Sequence, residues 1–436
     1  MFSKDCYRRL IQCATRGNPK EWNDWRRTHP NEKVLLEEAQ FEDESFEYYD
    51  LSNAHLKKAI FINVDLRKAN LSKANLEETS FTCSSLESAI LSKANLKSAK
   101  FSQVNLTEAK FLLSNLESVK FPKAILTNAE LIEADLRGGF LMGANCDGAC
   151  LRHAILKKVQ AYDASFVGTE LKRANLEFAS LQRANFQNAN MDSASLIKAG
   201  LDSANLTEAK LDNADMRSTN LRHCKVNEST SIWKCFVDRK TDFEGVPLGS
   251  IKISPSTKQL IEYNLRRKSW KCWCREHKII GKPVQWFWWI SNYGYSTKRI
   301  LITFLVTALM FAFLYWLLGI LFPPGVISNL TVDAEGKTVP KDIILIRSIY
   351  FSIVTMTTLG FGDMYAEFES RTGYILLIFQ VILGYVMLGA IVTRLNILFT
   401  GGGPAGEHFT DFKEGKCKSI YWPEEELSKI KQKRET

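Results

Sequence analysis

The stretch Ala69-Asn70-Leu71-Ser72-Lys73-Ala74-Asn75-Leu76-Glu77-Glu78 is one five-residue pattern written twice. The pattern returns as Ala94-Asn95-Leu96-Lys97-Ser98 and as Ala204-Asn205-Leu206-Thr207-Glu208. From Ala39 to Glu228 the register never breaks, which gives 38 blocks over 190 residues. Leu or Phe holds the central position in 33 of them, and Cys146, Ala161, Met191, Met216 and Val226 hold it in the rest. A period of five suits neither regular element. On a helix each step of five turns the apolar residue by about 140°, so no face stays apolar. On a strand an odd spacing alternates faces. A turn in every block solves the problem, because each central side chain then points at one axis and the small residue two places before it lets the backbone corner pass close. The result is a solenoid held by ladder hydrogen bonds.

These blocks resemble the pentapeptide-repeat family, whose motif is A-[DN]-L-x-x. The resemblance implies a right-handed quadrilateral β-helix with four blocks per coil. The rod would hold between nine and ten coils and run for about 45 Å. Residues 1–38, with Trp22, Trp25 and Arg26, are expected to cap its open end. Some rods of this family mimic DNA and inhibit topoisomerases, and those are strongly acidic. Here residues 39–228 carry 23 Lys and Arg against 24 Asp and Glu. A rigid scaffold or regulatory rod with an unknown cytoplasmic partner is expected, and no nucleic acid.

The whole chain has 436 residues and a formal charge of +9, enough for two or three domains. Met1–Leu10 shows no apolar segment of a cleavable signal. Apart from Cys417, the cysteines lie before residue 275. That distribution fits reduced cytosolic thiols better than a disulfide framework.

Beyond residue 299 the character changes. Ile300–Phe322 has no charge over 23 positions, and Gly373–Thr393 none over 21. Each is long enough to span a bilayer core. Lys298 and Arg299 precede the first and Arg394 follows the second, so both termini are expected in the cytoplasm, in a cell membrane crossed twice. Between them Ile343–Met356, interrupted by Arg347, is too short for a comfortable span and suits a re-entrant helix.

That helix runs into Thr357-Thr358-Leu359-Gly360-Phe361-Gly362-Asp363. The run resembles the potassium-channel signature T-x-G-[YF]-G-D, set in the family's order of outer helix, pore helix, filter and inner helix. The resemblance covers about 100 residues. It implies a homotetramer in which backbone carbonyls of Thr358, Leu359, Gly360 and Phe361 replace the water shell of K⁺, with the Thr358 hydroxyl adding the innermost ring. Gly360 and Gly362 tolerate the backbone angles this demands. Asp363 closes the motif, and Tyr350 and Thr357 are candidate supports. Phe361 stands where Tyr is commoner, and Tyr350-Phe351 where an aromatic pair with indole donors is frequent. The Tyr350 hydroxyl is therefore a candidate donor to Asp363. Gly384 and Gly389 lie midway along the inner helix. They read either as a gating hinge, with Gly384 better placed, or as close packing through small residues.

Residues 229–298 form a junction. Ser256-Thr257-Lys258-Gln259 is a candidate capping box for a basic helix reaching toward His277. Pro283, Trp286-Phe287-Trp288-Trp289, Tyr293 and Tyr295 follow, as at a lipid interface. Cys272, Cys274 and His277 lack a strong zinc spacing. No metal other than K⁺, no cofactor and no enzyme constellation is expected.

The expected fold class is thus multidomain: a β-helix joined to an all-α pore module. Its parts are the cap (1–38), the rod (39–228), the junction (229–298), the pore module (299–399) and a tail (400–436). The function that follows is passive, selective K⁺ transport. A weakly selective cation channel and a membrane-anchored interaction scaffold are the rivals.

Overall fold

The computed structural model describes residues 2–277, 281–282, 285, 297–321, 327–332, 337–357, 364–366 and 370–400. Pro283, Trp286 to Trp289, Tyr293, Tyr295, Thr358 to Asp363 and the tail from Gly401 lie outside these residues. Two compact units divide the chain, one ending at Leu265 and the other beginning at Arg266.

The first unit is a parallel β-helix. Its strands β1 (Gln40–Glu42), β2 (Ile60–Ile62), β3 (Ser80–Thr82) and β4 (Lys100–Ser102) pair in parallel at a spacing of 20 residues. Isolated parallel bridges continue that spacing, as in Asn95↔Asn115 and Asn185↔Asn205. Four blocks therefore make one coil. Phe41, Phe61, Phe81, Phe101 and Phe121 stack along one inner wall with ring centroids 4.7–4.9 Å apart, the spacing of neighbouring strands. All five are essentially inaccessible.

Each corner is a tight turn. Ala54 N–H donates to Leu51 O at 3.2 Å, and Asn53 between them has a φ of 54°. The same left-handed angle recurs at the fifth residue of block after block, for instance Lys73, Ser98 and Glu108. Among the described residues no Val, Ile or Thr has a positive φ, since a branched Cβ clashes there. The Asn or Asp before the central residue has its own role. Asn70 Oδ1 accepts from Ser72 N–H at 3.1 Å, and Asn75, Asn95 and Asn115 link their amides from coil to coil.

Both ends of the coil stack are closed. Helices α1 (Lys4–Thr15) and α2 (Pro19–Thr28) begin on side-chain caps from Ser3 and Asn18. Trp22 Nε1 donates to Asp50 O at 2.8 Å, and Arg26 Nη2 to Ser52 O at 2.6 Å. These side chains satisfy carbonyls that would otherwise face an open end. At the other end the solenoid outlasts the sequence register. The pairing interval grows from 20 residues (Asn205↔Lys225) to 21 (Lys210↔Ser231) and 22 (Asn220↔Asp242). Strands β5 (Ser231–Ile232) and β6 (Lys252–Ile253) form the last ladder. Extra residues at the corners hide the period without breaking the coil, so the first part of the expected junction belongs to the rod.

Helix α3 (Pro255–Glu276) follows. It starts one residue before the expected capping box, so Ser256 lies in its first turn. Ser254, 2.7 Å from the Thr257 hydroxyl, stands at its entry. Asn264 anchors α3 by donating to Asp238 O at 2.7 Å and Thr241 O at 3.2 Å.

The second unit contains α4 (Thr297–Leu321), α5 (Lys341–Met356) and α6 (Arg371–Thr400). α4 and α6 are long and apolar enough to cross a membrane, and α5 is a shorter apolar helix. Phe311 and Tyr315 of α4 and Ile344 and Phe351 of α5 share a core with Ile327 and Leu330, and Leu376, Leu377 and Leu383 of α6 pack against it.

Candidate functional site

The site lies where α5 ends. Thr357 N–H and Thr357 Oγ1 both reach back to Ile353 O, each at 2.9 Å, and so close the helix. The expected ion-coordinating residues Thr358, Leu359, Gly360, Phe361, Gly362 and Asp363 come next and lie outside the described residues. Met364 to Ala366 follow the motif. Tyr365 O accepts from Ser328 N–H at 2.8 Å, and Ala366 bridges Ile327. Arg347 Nη1 donates to Asn329 O at 2.9 Å. The segment between α4 and α5 is thereby tied both to α5 and to the chain that follows the motif.

The aromatic pair of α5 divides its roles. Phe351 is buried and meets Tyr315 edge-on at 5.3 Å. Tyr350 is half exposed on the opposite side, beside Ile346 and Ile353. α6 likewise leaves Ile375, Ile378, Phe379, Ile382 and Tyr385 uncovered. An apolar surface this extensive belongs against lipid or other subunits.

Three helices meet through buried polar groups. Tyr315, Ser352 and Gln380 each have no accessible surface. Tyr315 Oη donates to Gln380 Oε1 at 2.7 Å. Gln380 Nε2 donates to Ser352 Oγ at 2.7 Å and to Ser352 O at 3.0 Å. Ser352 Oγ donates to Ala308 O at 2.6 Å.

Gly384 and Gly389, midway along α6, differ. A β-carbon at Gly384 would lie 2.6 Å from Met356 O, whereas one at Gly389 would meet nothing within 4 Å in the subunit. At Gly384 the backbones of α5 and α6 approach closely.

Sequence reasoning passed over Gln380, Tyr315 and Ser352. The signal was there, since Gln380 is the only amide side chain in the uncharged run Gly373–Thr393. A lone amide in a membrane helix needs an interhelical partner.

Comparison with known proteins agrees with this division. Residues 34–111 match the pentapeptide repeat region model. The eight-copy pentapeptide repeats model matches at 99–138, 141–177, 169–207 and 199–229. Residues 290–398 match the inward rectifier potassium channel transmembrane domain. No curated protein matches the chain. Among solved structures, similarity is found to HetL, a pentapeptide repeat protein involved in heterocyst differentiation regulation from the cyanobacterium Nostoc sp. PCC 7120. It is 24% identical, the match covers 51% of this chain and 92% of HetL, and the TM-score is 0.21. QnrB1, a plasmid-mediated fluoroquinolone resistance protein, is 17% identical over 53% of this chain and 96% of its own, with a TM-score of 0.26. Rfr23 from the cyanobacterium Cyanothece 51142 is 24% identical over 31% and 91%, with a TM-score of 0.18.

Proposed function

We propose that this chain, which joins a pentapeptide-repeat β-helix to an inward-rectifier-type potassium channel transmembrane domain, is one of four identical subunits of a K⁺-selective pore. It is a two-span integral membrane protein and a potassium channel subunit. Selectivity, the four-fold assembly and the cytoplasmic placement of both termini are our reading. The observation that carries it is the helix α5, set between two membrane-length helices inside the matched domain and ending at Thr357, where the sequence continues Thr358-Leu359-Gly360-Phe361-Gly362-Asp363.

A K⁺ ion leaves water only if fixed oxygens replace its shell, and one chain supplies a quarter of each ring. The faces of α5 and α6 that a single subunit leaves bare supply surface for neighbouring subunits. Anionic lipid headgroups meet the cations of α3 and the aromatic junction. The rod, with nearly balanced charge, acts as a scaffold or regulatory element and takes no part in choosing the ion.

Liposomes holding the purified protein and loaded with K⁺ or with Na⁺ test the reading. K⁺-driven flux is expected to exceed Na⁺-driven flux, and mass measurement in mild detergent should give a tetramer. Removing residues 1–254 should leave the preference intact, because that cut falls after the last ladder. Equal fluxes of the two ions, or a monomer, would overturn the proposal.

A further inference from the structure

We propose that Gln380 is the positioning residue of the pore: it fixes the depth and rotation of α5, and through α5 the carbonyls that select the ion. This rests on the reading of Thr358–Asp363 as the filter.

The hydrogen bonds impose a direction. Ser352 Oγ donates to Ala308 O, a backbone acceptor that cannot give a proton back. Its lone pairs therefore face Gln380, whose Nε2 must be the end that approaches. Gln380 Oε1 then points the other way, where the Tyr315 hydroxyl donates to it. Every side-chain proton of the set has a place, and reversing the amide would set Gln380 Oε1 against the Ser352 carbonyl, two acceptors with no proton between them. In a hydrocarbon setting no water can substitute. The arrangement is consequently single-valued, which a purely apolar interface of Leu and Ile is not.

The geometry carries this order to the filter. Gln380 and Gly384 are one turn apart on α6, and they touch Ser352 and Met356, one turn apart on α5. Met356 is the last helical residue before Thr357. The missing side chain at Gly384 lets the helices approach closely enough for the short Gln380 contacts. Ala308 ties the same turn of α5 to α4, and Tyr315 ties α4 to Gln380 itself. Thus α5 is held from both sides at its final turns, immediately before the ion-coordinating residues.

The test uses the full-length tetramer in liposomes or planar bilayers, with K⁺ and Na⁺ on opposite sides, and reads the reversal potential. Gln380→Leu is similar in size and removes both the acceptor of the Tyr315 hydroxyl and the donor to Ser352. The K⁺/Na⁺ permeability ratio should fall about three- to ten-fold while the tetramer mass stays unchanged. Ser352→Ala should act in the same sense. The double variant should be no worse than Gln380→Leu alone, since both changes break one chain. If Gln380→Leu does not assemble, Tyr315→Phe decides, because it removes only the hydroxyl that orients the amide. A parental reversal potential in the deciding variant, or additive losses in the double variant, would overturn the proposal. A parent protein without K⁺ preference would instead overturn the filter reading, so the two failures are separable.

Discussion

Gly384 on α6 faces the carbonyl of Met356 at the end of α5 so closely that a β-carbon would stand 2.6 Å from the oxygen. A methyl group cannot enter without moving backbone, because the obstacle is the helix itself. Gly384→Ala should therefore cost the assembled protein about 1–3 kcal/mol, as overpacking does. Gly389→Ala adds a methyl group where the subunit's own chain leaves room and should be neutral or slightly stabilising in a helix, by about 0.5–1 kcal/mol. Thermal melting of the purified protein in detergent should order the variants Gly389→Ala, parent, Gly384→Ala. Equal loss at both sites would mean that the α5–α6 contact does not decide stability.

The filter reading makes a sharper demand. Gly360→Ala should abolish K⁺ preference or flux while the tetramer still forms, because a β-carbon there tilts the coordinating carbonyls. Thr358→Ala leaves every carbonyl in place and should lower conductance with a smaller loss of selectivity. A Gly360→Ala protein as selective as its parent would remove the basis of the channel mechanism.

In the rod, inward and outward positions should respond differently. Leu96 is fully buried, and Lys97 next to it is exposed and 3.4 Å from Glu117. Leu96→Asp places a charge on the axis at a cost of several kcal/mol. Lys97→Asp loses one surface ion pair and sets a carboxylate between Glu77 and Glu117, and should cost about 1–2 kcal/mol, still short of Leu96→Asp. Phe81→Ala opens the ring stack and should cost about 3–5 kcal/mol. Circular dichroism melts of the three variants check this order, and similar losses at 96 and 97 would show the register to be shifted.

These positions could be read from the sequence because the coil repeats without interruption. Where it does not, the reading failed for physical reasons. Past Glu228 the corners gain residues, so the spacing of apolar centres no longer reports the turns that still exist. Thr230 and Thr241 occupy buried places and return their hydroxyls to Leu206 O and Met216 O at 2.9 and 3.0 Å. No composition rule distinguishes them from loop threonines. The contacts of Gln380 were hidden differently, since they join residues 28 and 65 positions apart in the chain.

Asp238 makes the last coil sensitive to acid. Burial opposes its charge, but Oδ1 accepts from the amides of Ser218, Lys240 and Thr241 at 2.8–2.9 Å and Oδ2 from the Ser218 hydroxyl at 2.7 Å. The donors prevail, and the folded pKa lies below the ordinary carboxylate value. A depressed pKa contributes stability above the unfolded value, near 4, and loses it as pH falls through the folded one. Asp238→Asn should therefore lower stability at neutral pH and flatten its decline below about pH 4. Denaturant titrations at pH 7 and in acid distinguish this from a loss that is the same at every pH.

The charges on one outer column follow a rule of their own. Lys57, Glu77, Lys97, Glu117 and Arg137 succeed one another at intervals of 20, and Lys57–Glu77 and Lys97–Glu117 close at 3.1 and 3.4 Å. Excising five residues would rotate everything downstream by about a quarter turn, because one block is one side of the square. Excising twenty would restore the facing and shorten the rod by about 4.8 Å, yet set like charges above one another in this column. Excising forty keeps both facing and sign. Between Lys57 and Arg137 the rod is therefore a ruler graduated in pairs of coils, and there deletions of forty residues are the ones it should absorb with least disturbance.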